Sequence, residues 1–334
     1  MRTLILFCGG TLVMDENDAG ALVTPHREKA IETLHGMEPR LQRTTDLWVS
    51  YIDNIDSTNI QPEHWDRMAR VIADNYDSYD GFVVTHGTDT MAYTAGALSF
   101  ALRNLGKPVV LTGAQIPGSR MESDARRNFV NAVRVATLDL AGVVLVFGEQ
   151  ILLGCRATKV SESRLDAFAS VNRRNIGEIR IDIRLRRERR HREAGRLDLQ
   201  GGFEPDIAVV TLVPGLPAQT LLRLLDDGIK GLVIKGYGPG NIGYQYLGVL
   251  RGARDRRIPV VVHTQCMEGA TAMHLYDVGR RALEMGAIEA FDMSLEGAVT
   301  KLMWVLRHCS GYEEVTTLMH ANLAGEIGGD VLPD

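Results

Sequence analysis

Eight short runs rich in Val, Ile and Leu recur along the chain, at Thr3–Phe7, Leu47–Ile52, Gly81–Thr85, Pro108–Leu111, Val143–Phe147, Ile207–Leu212, Leu232–Lys235 and Val260–Thr264. Each is too short for a helix, and stretches of helical character separate them. Runs that are apolar throughout belong to strands buried on both faces, so the pattern predicts an α/β fold with a mainly parallel, doubly wound sheet covered by helices. Several runs end in small or hydroxyl residues: Cys8-Gly9-Gly10-Thr11 after the first, the Thr85–Thr90 segment at the end of the third, and the Thr112–Gln115 segment after the fourth. Ligands of open α/β sheets bind beyond the carboxyl ends of the strands, so these turns are where function is to be sought.

A chain of 334 residues favours two domains. Between the fifth and sixth runs lies an arginine-rich stretch, Arg184 to Arg192, where core-forming periodicity stops. It reads as a solvated crossing, giving a larger N-terminal catalytic domain over 1–187, a linker over 188–206 and a smaller C-terminal α/β domain over 207–334. A nucleic-acid patch is the sharper reading of those arginines, but no interleaved aromatics and no second basic cluster accompany them.

The formal charge of −5 argues against a general nucleic-acid or anionic-membrane binder. Cys8, Cys155, Cys266 and Cys309 have neither metal-ligand nor disulfide-framework spacing, so they read as reduced thiols of a cytoplasmic protein with no bound metal. The apolar run at the N-terminus is too short for an export signal, and no window approaches the roughly 18 apolar residues of a membrane helix.

Three constellations carry chemistry. In the first, Gly9 and Gly10 let the chain turn sharply after a buried strand and leave Thr11 at the sheet edge; alone, such a turn is commonplace. In the second, Thr88 and Asp89 precede a helical stretch beginning near Ala92. A helix N-cap accounts for them singly, but not for two hydroxyl residues, a His and an acid gathered at one strand end. In the third, Lys159 is one of only six lysines and lies in a polar stretch rather than on an amphipathic helix. A partly desolvated lysine gives up its proton more readily and can then serve a neighbouring hydroxyl. Two threonines, an aspartate and a lysine at separate strand ends suggest a hydroxyl nucleophile activated by a relay, and hence hydrolysis of an amide or ester through an acyl-enzyme. Amides after Gly9-Gly10 or in the Gly87-Thr88 turn would supply the oxyanion hole.

These motifs, together with Leu111–Pro117, Arg156–Lys159, Asp166–Ser170 and Val262–Met267, resemble the bacterial L-asparaginases, in particular the cytoplasmic type I branch, over essentially the whole chain. The resemblance implies the asparaginase-like fold and hydrolysis of L-asparagine to L-aspartate and ammonia through an acyl-threonine. It implies Thr11 as the primary nucleophile, with Thr88, Asp89 and Lys159 as a second triad. Asp56, Ser57 and Thr58 fall in the family's substrate loop, where Ser57 would bind the α-carboxylate and Asp89 the α-amino group; Ala114 would offer its carbonyl to the leaving amide. Asn241 closes a loop, Gly236 to Asn241, that in the family reaches a neighbouring subunit's site. The resemblance further implies no cofactor, a small amino acid amide as substrate, and a homodimer or homotetramer.

The chain departs from the family at one point. The flexible segment after Gly-Gly-Thr usually holds a tyrosine that helps to activate the nucleophile, whereas Met14–Thr24 contains none and Ala21 stands near the matching place. Tyr276 is a candidate activator, with a packing role as the plainer alternative. Thr158, Lys235 and Cys266 stand where the type I branch carries an additional, allosteric asparagine site, although Cys266 also reads as a small buried hydrophobe. His86 reads as structural. The alternatives are a related amidase acting on glutamine, a D-amino acid amide or a specialised metabolite, and a non-catalytic asparagine sensor. The family's tRNA-dependent amidotransferase subunit carries an extra N-terminal domain, and a chain that starts at the first strand is not expected to be that version. A dinucleotide-binding protein is disfavoured, because no Gly-x-Gly-x-x-Gly follows the first strand.

Overall fold

The computed structural model describes residues 1–16, 22–23 and 25–329, and the chain divides into two compact units. The first comprises Met1–Ser170 with Arg174–Gly201, the second Val171–Arg173 with Gly202–Asp334. The position near Ala21 that matches the family's tyrosine lies outside the described residues.

The first unit is built on five parallel strands, β1 (Arg2–Phe7), β2 (Asp46–Tyr51), β3 (Gly81–Thr85), β4 (Pro108–Thr112) and β5 (Gly142–Phe147). They lie in the order β2-β1-β3-β4-β5. Helices α1 (Arg27–Gly36), α2 (Pro62–Asp74), α3 (Met91–Ala101) and α4 (Ala125–Ala136) alternate with them. Side chains of a strand alternate between faces. Ile5, Phe7, Val83, Val110 and Val144 belong to one core with Ala30 and Leu34 of α1 and Phe129 and Val133 of α4. Their neighbours Leu4, Leu6, Phe82, Val84 and Val109 are also buried, so both faces of the sheet are covered. Each such Val or Leu contributes about 1.5–3 kcal/mol by leaving water.

Beyond β5 the sheet continues in antiparallel fashion through β6 (Gln150–Leu153), β7 (Gly177–Ile179) and β8 (Ile183–Leu185). The sequence pattern does not anticipate these strands, because runs of three or four residues carry no readable period. The arginine-rich stretch is also anchored rather than free in solvent. Arg192 donates from Nε to Leu138 O (2.6 Å) and from Nη2 to Ala136 O (2.7 Å), satisfying carbonyls at the end of α4. His191 and Arg189 meet Asp139, and the His191 contact holds that carboxyl down to about 2.

The second unit has a parallel sheet in sequence order, β9 (Ile207–Thr211), β10 (Gly231–Gly236), β11 (Val260–Thr264) and β12 (Ala287–Glu289). Its core gathers Ile234, Val260 and Val262 with Leu221 and Leu225 from α5 (Ala218–Asp226) and Val249 and Leu250 from α6 (Leu247–Asp255). Toward its end, Lys301 on the buried helix Leu295–His308 is fully enclosed and meets Glu326 at 2.6 Å. Among the described residues no helix is long and apolar enough to cross a membrane.

Candidate active site

Register pairing places Tyr51, Phe7, Thr85 and Thr112 in one row across β2, β1, β3 and β4, so four neighbouring parallel strands end level. The segments that leave this row hold the site: Asp53–Asn59 after β2, Cys8–Thr11 after β1, His86–Thr90 after β3 and Gly113–Pro117 after β4. The chain runs first through β1, then to β2 on one side and to β3 on the other. The strand order therefore reverses between β1 and β3, and a crevice opens at such a reversal. Thr11 and Thr88 hang from its two sides.

Thr11 opens a single 3₁₀ turn, Thr11–Val13, held by the Met14 amide donating to Thr11 O (3.2 Å). Gly9 and Gly10 approach it with φ of 91° and 92°, a region that side chains disfavour. A Cβ on Gly10 would lie 2.6 Å from Gly87 N and from the His86 carbonyl carbon; one on Gly113 would lie 2.3 Å from His86 O. A Cβ on Gly87 in turn would meet Ser57 Oγ at 2.6 Å. The Thr11 turn and the segment after β4 thus pack against the His86–Gly87 backbone, and the Ser57 side chain packs against Gly87, with glycine wherever a side chain would intrude.

Lys159 Nζ donates to Thr88 Oγ1 (2.8 Å) and to the Asp89 carboxylate (2.6 Å), so the three residues expected as a triad are in direct contact. Lys159 comes from a short hairpin, Ala157–Lys159 against Phe168–Ser170, steadied where Phe168 packs on Phe147 with ring centroids 5.0 Å apart. The Lys159 side chain is 17% exposed and that of Asp89 58%, which leaves Asp89 open to a ligand. Thr88 and Ser57 are buried, and Ala114 is fully enclosed. Asp56 caps the Ser57–Asn59 turn by accepting from Thr58 N and Thr58 Oγ1, both at 2.9 Å, and Thr90 Oγ1 donates to Ser57 O (2.7 Å). The Thr58 hydroxyl is therefore engaged in holding the turn. Burial pushes the Cys8 thiol far above its ordinary range, so the thiol beside the glycines is not a nucleophile.

Sequence reasoning missed the residues that brace these turns. Asp124 accepts from Gln115 N (3.1 Å) and Ile116 N (3.0 Å), while Asn128 Nδ2 donates to Gly113 O (3.0 Å). Both are buried and stand four apart, Asp124 at the N-cap of α4 and Asn128 on its inward face, where the signal was two polar residues in an apolar stripe. Trp65 and Thr94, buried behind His86, were likewise unread.

Of the remaining expected residues, Thr158 lies on the Lys159 hairpin opposite Ala169. Lys235, Asn241, Cys266 and Tyr276 belong to the second unit. Lys235 pairs with Thr211 and His263 in the sheet, while the buried Asn241 Oδ1 has no hydrogen-bond partner among the described residues. Cys266 is exposed rather than buried, because it sits in the turn beyond β11 and not in the strand. Tyr276 is half-exposed immediately before α7 (Asp277–Glu284).

Two family models match the chain. The N-terminal asparaginase model matches residues 2–191, and the glutaminase/asparaginase C-terminal domain model matches residues 206–319. The chain is 38% identical over 331 residues to the L-asparaginase of Thermococcus kodakarensis, covering 98% of this chain and 100% of that one. It is 37% identical over 334 residues to L-asparaginase 1 of Escherichia coli, covering 98% of each chain. It is also 39% identical over 308 residues to a component of the glutamyl-tRNA(Gln) amidotransferase of Pyrococcus abyssi, covering 89% of this chain and 70% of the relative. Among solved structures, L-asparaginase I from Vibrio cholerae superposes with a TM-score of 0.89 at 33% identity, covering 98% and 99% of the two chains.

Proposed function

Because the chain belongs to the asparaginase family, we propose that it is a type I amidohydrolase that converts L-asparagine to L-aspartate and ammonia through an acyl-threonine. The observation that carries the reading is the Lys159 amine in contact with both Thr88 and Asp89 at the sheet edge that also carries Thr11. Thr11 Oγ attacks the side-chain carbonyl carbon, the C–N bond breaks, and the nitrogen leaves as ammonia with the hydroxyl proton. Water then attacks the ester, Thr11 recovers its proton, and aspartate departs. A hydroxyl is a poor nucleophile until a base takes its proton, and Lys159 is the base nearest Thr88. Ser57 receives the α-carboxylate, assisted by the Asp56–Thr58 turn, and the exposed carboxylate of Asp89 receives the α-ammonium. The Ala114 carbonyl accepts from the departing amide. Tyr276 is retained as the candidate activator in place of the lid tyrosine, and Asn241 as a contributor to a neighbouring subunit's site.

We place the protein in the cytoplasm as a homo-oligomer, a dimer or tetramer. Four free cysteines suit a reducing compartment. Exposed Val213, Tyr244 and Leu275 on the second unit suit an association surface. Thr158, Lys235 and Cys266 are the residues through which an allosteric asparagine site would act, and a sigmoidal rate curve is its signature.

The test is ammonia release from L-asparagine, L-glutamine and D-asparagine. One methylene in a fitted pocket is worth about 10–200-fold in kcat/KM, so L-asparagine exceeds L-glutamine by at least about tenfold. Preference for another amide replaces the substrate assignment, and saturable L-asparagine binding without ammonia identifies a sensor.

The glycine contacts give a second expectation. Gly10→Ala forces the Thr11 turn away from the Gly87 peptide and lowers kcat about 100-fold, in keeping with the cost of a misplacement near 1 Å. Steady-state kinetics on the folded variant checks it; an unchanged kcat means that the turn tolerates the displacement.

A further inference from the structure

His86 is buried and lies directly before the catalytic turn, yet its ring hydrogen-bonds to none of the side chains assigned to chemistry. Its ring is held at both nitrogens: Nδ1 lies 2.7 Å from Gly87 O, and Nε2 lies 2.9 Å from Thr94 Oγ1. Thr94 Oγ1 is in turn 3.0 Å from Trp65 Nε1. An indole N–H can only donate and a backbone carbonyl can only accept, and these two ends fix every proton between them. Trp65 donates to Thr94, Thr94 donates its single hydroxyl proton to His86 Nε2, and His86 donates from Nδ1–H to Gly87 O. The opposite tautomer would set a lone pair against the Gly87 carbonyl and leave the Thr94 proton without this acceptor. Burial lowers the imidazole pKa to about 4, which keeps the ring neutral as the relay requires.

The carbonyl held by His86 belongs to the Gly87–Thr88 peptide. A peptide unit is planar, so fixing its C=O fixes its N–H and the origin of the next side chain. This peptide follows directly on the backbone against which Gly10 and Gly113 are packed, and Gly87 itself lies against Ser57. Thr88, whose hydroxyl must meet Lys159 at 2.8 Å, extends from it.

We propose that His86 is a positioning residue, held as the Nδ1–H tautomer by the Trp65–Thr94 relay, which aims the Gly87–Thr88 peptide so that the Thr88 hydroxyl faces Lys159 and the substrate. The proposal rests on the asparaginase reading for its catalytic consequence, while its structural content stands without substrate. His86 takes no proton from a reacting group; it acts through the backbone.

The experiment uses the full chain, labelled with ¹⁵N and deuterated except at histidine, whose ring carbons keep their protons, with Thr94→Val, Thr94→Ser and Trp65→Phe beside the wild type. In the wild type, long-range ¹H–¹⁵N spectra show His86 with a protonated Nδ1 and a bare Nε2. In Thr94→Val that pattern is lost or mixed and the Thr88 amide resonance moves, whereas Thr94→Ser, which keeps the hydroxyl, restores both. Trp65→Phe, which removes only the first donor, gives an intermediate shift. With L-asparagine as substrate, Thr94→Val lowers kcat about 10–100-fold while KM stays within about twofold, and Thr94→Ser recovers most of the rate. A wild-type spectrum with Nε2 protonated overturns the proposal, and so does a Thr88 amide indifferent to Thr94→Val. A Thr94→Val enzyme with wild-type kcat overturns it as well. If Thr94→Val does not fold, the wild-type tautomer and Trp65→Phe decide. If the wild type releases no ammonia, the functional reading falls, and the two spectra still test the relay.

Discussion

Thr11→Ala lowers ammonia release from L-asparagine by about 10⁴-fold or more, and Thr88→Ala does the same, with the fold of each variant unchanged by circular dichroism. Each substitution removes one hydroxyl from an edge of the β1/β3 crevice without touching the glycine contacts that shape it. The two losses do not add. Residues that act as one unit give a double variant scarcely worse than either single one, so Thr11→Ala with Thr88→Ala falls to about the same floor. Multiplying losses would mean two independent routes to the product. Retention of rate in both single variants would remove the acyl-threonine reading altogether. Lys159→Met is the companion variant, since it leaves Thr88 and Asp89 without the amine that joins them at 2.8 and 2.6 Å.

The largest stability effect is expected far from this site. Lys301 and Glu326 are both fully enclosed and meet at 2.6 Å. Lys301 also donates to Met319 O (2.8 Å) and Ala321 O (2.5 Å), while Glu326 accepts from Leu323 N (2.9 Å) and Ala324 N (2.7 Å). The pair thereby ties the last described turns to the buried helix Leu295–His308. Glu326→Ala strands a buried ammonium and costs about 3–5 kcal/mol, the range for breaking an enclosed ion pair from one side. Lys301→Met combined with Glu326→Leu removes both charges and recovers most of that loss. Urea unfolding followed by a probe in the second unit reads the effect, and equal losses in the single and double variants would show that the charges are not the source.

The parallel core was legible because each of its strands is apolar on both faces: the expected Gly81–Thr85 and Val260–Thr264 runs are strands over those same residues. The contact among Thr88, Asp89 and Lys159 was suggested by composition at strand ends, but its geometry depends on the hairpin Ala157–Lys159, whose three-residue strands leave no periodic trace. The same brevity hid β6 to β8 and β12. Arg192 was misread as solvated because its acceptors, the carbonyls of Ala136 and Leu138, belong to a helix end more than fifty residues away in sequence. Asp124 and Asn128 escaped notice because their role is to satisfy backbone amides and carbonyls of a loop, and one-dimensional pattern carries no record of which backbone groups lack partners.

The glycine contacts at positions 10, 87 and 113 also bear on how such an enzyme can diversify. Side chains that line a pocket can be exchanged one at a time, each trade giving a slightly different cavity. Here the separation between Thr11 and Ser57, the proposed nucleophile and carboxylate-binding residue, is set by close approaches at glycine, against the His86–Gly87 main chain for Gly10 and Gly113 and against the Ser57 side chain for Gly87. No single substitution can widen or narrow that span by small increments. Inheritable changes in selectivity must therefore come from outside this knot.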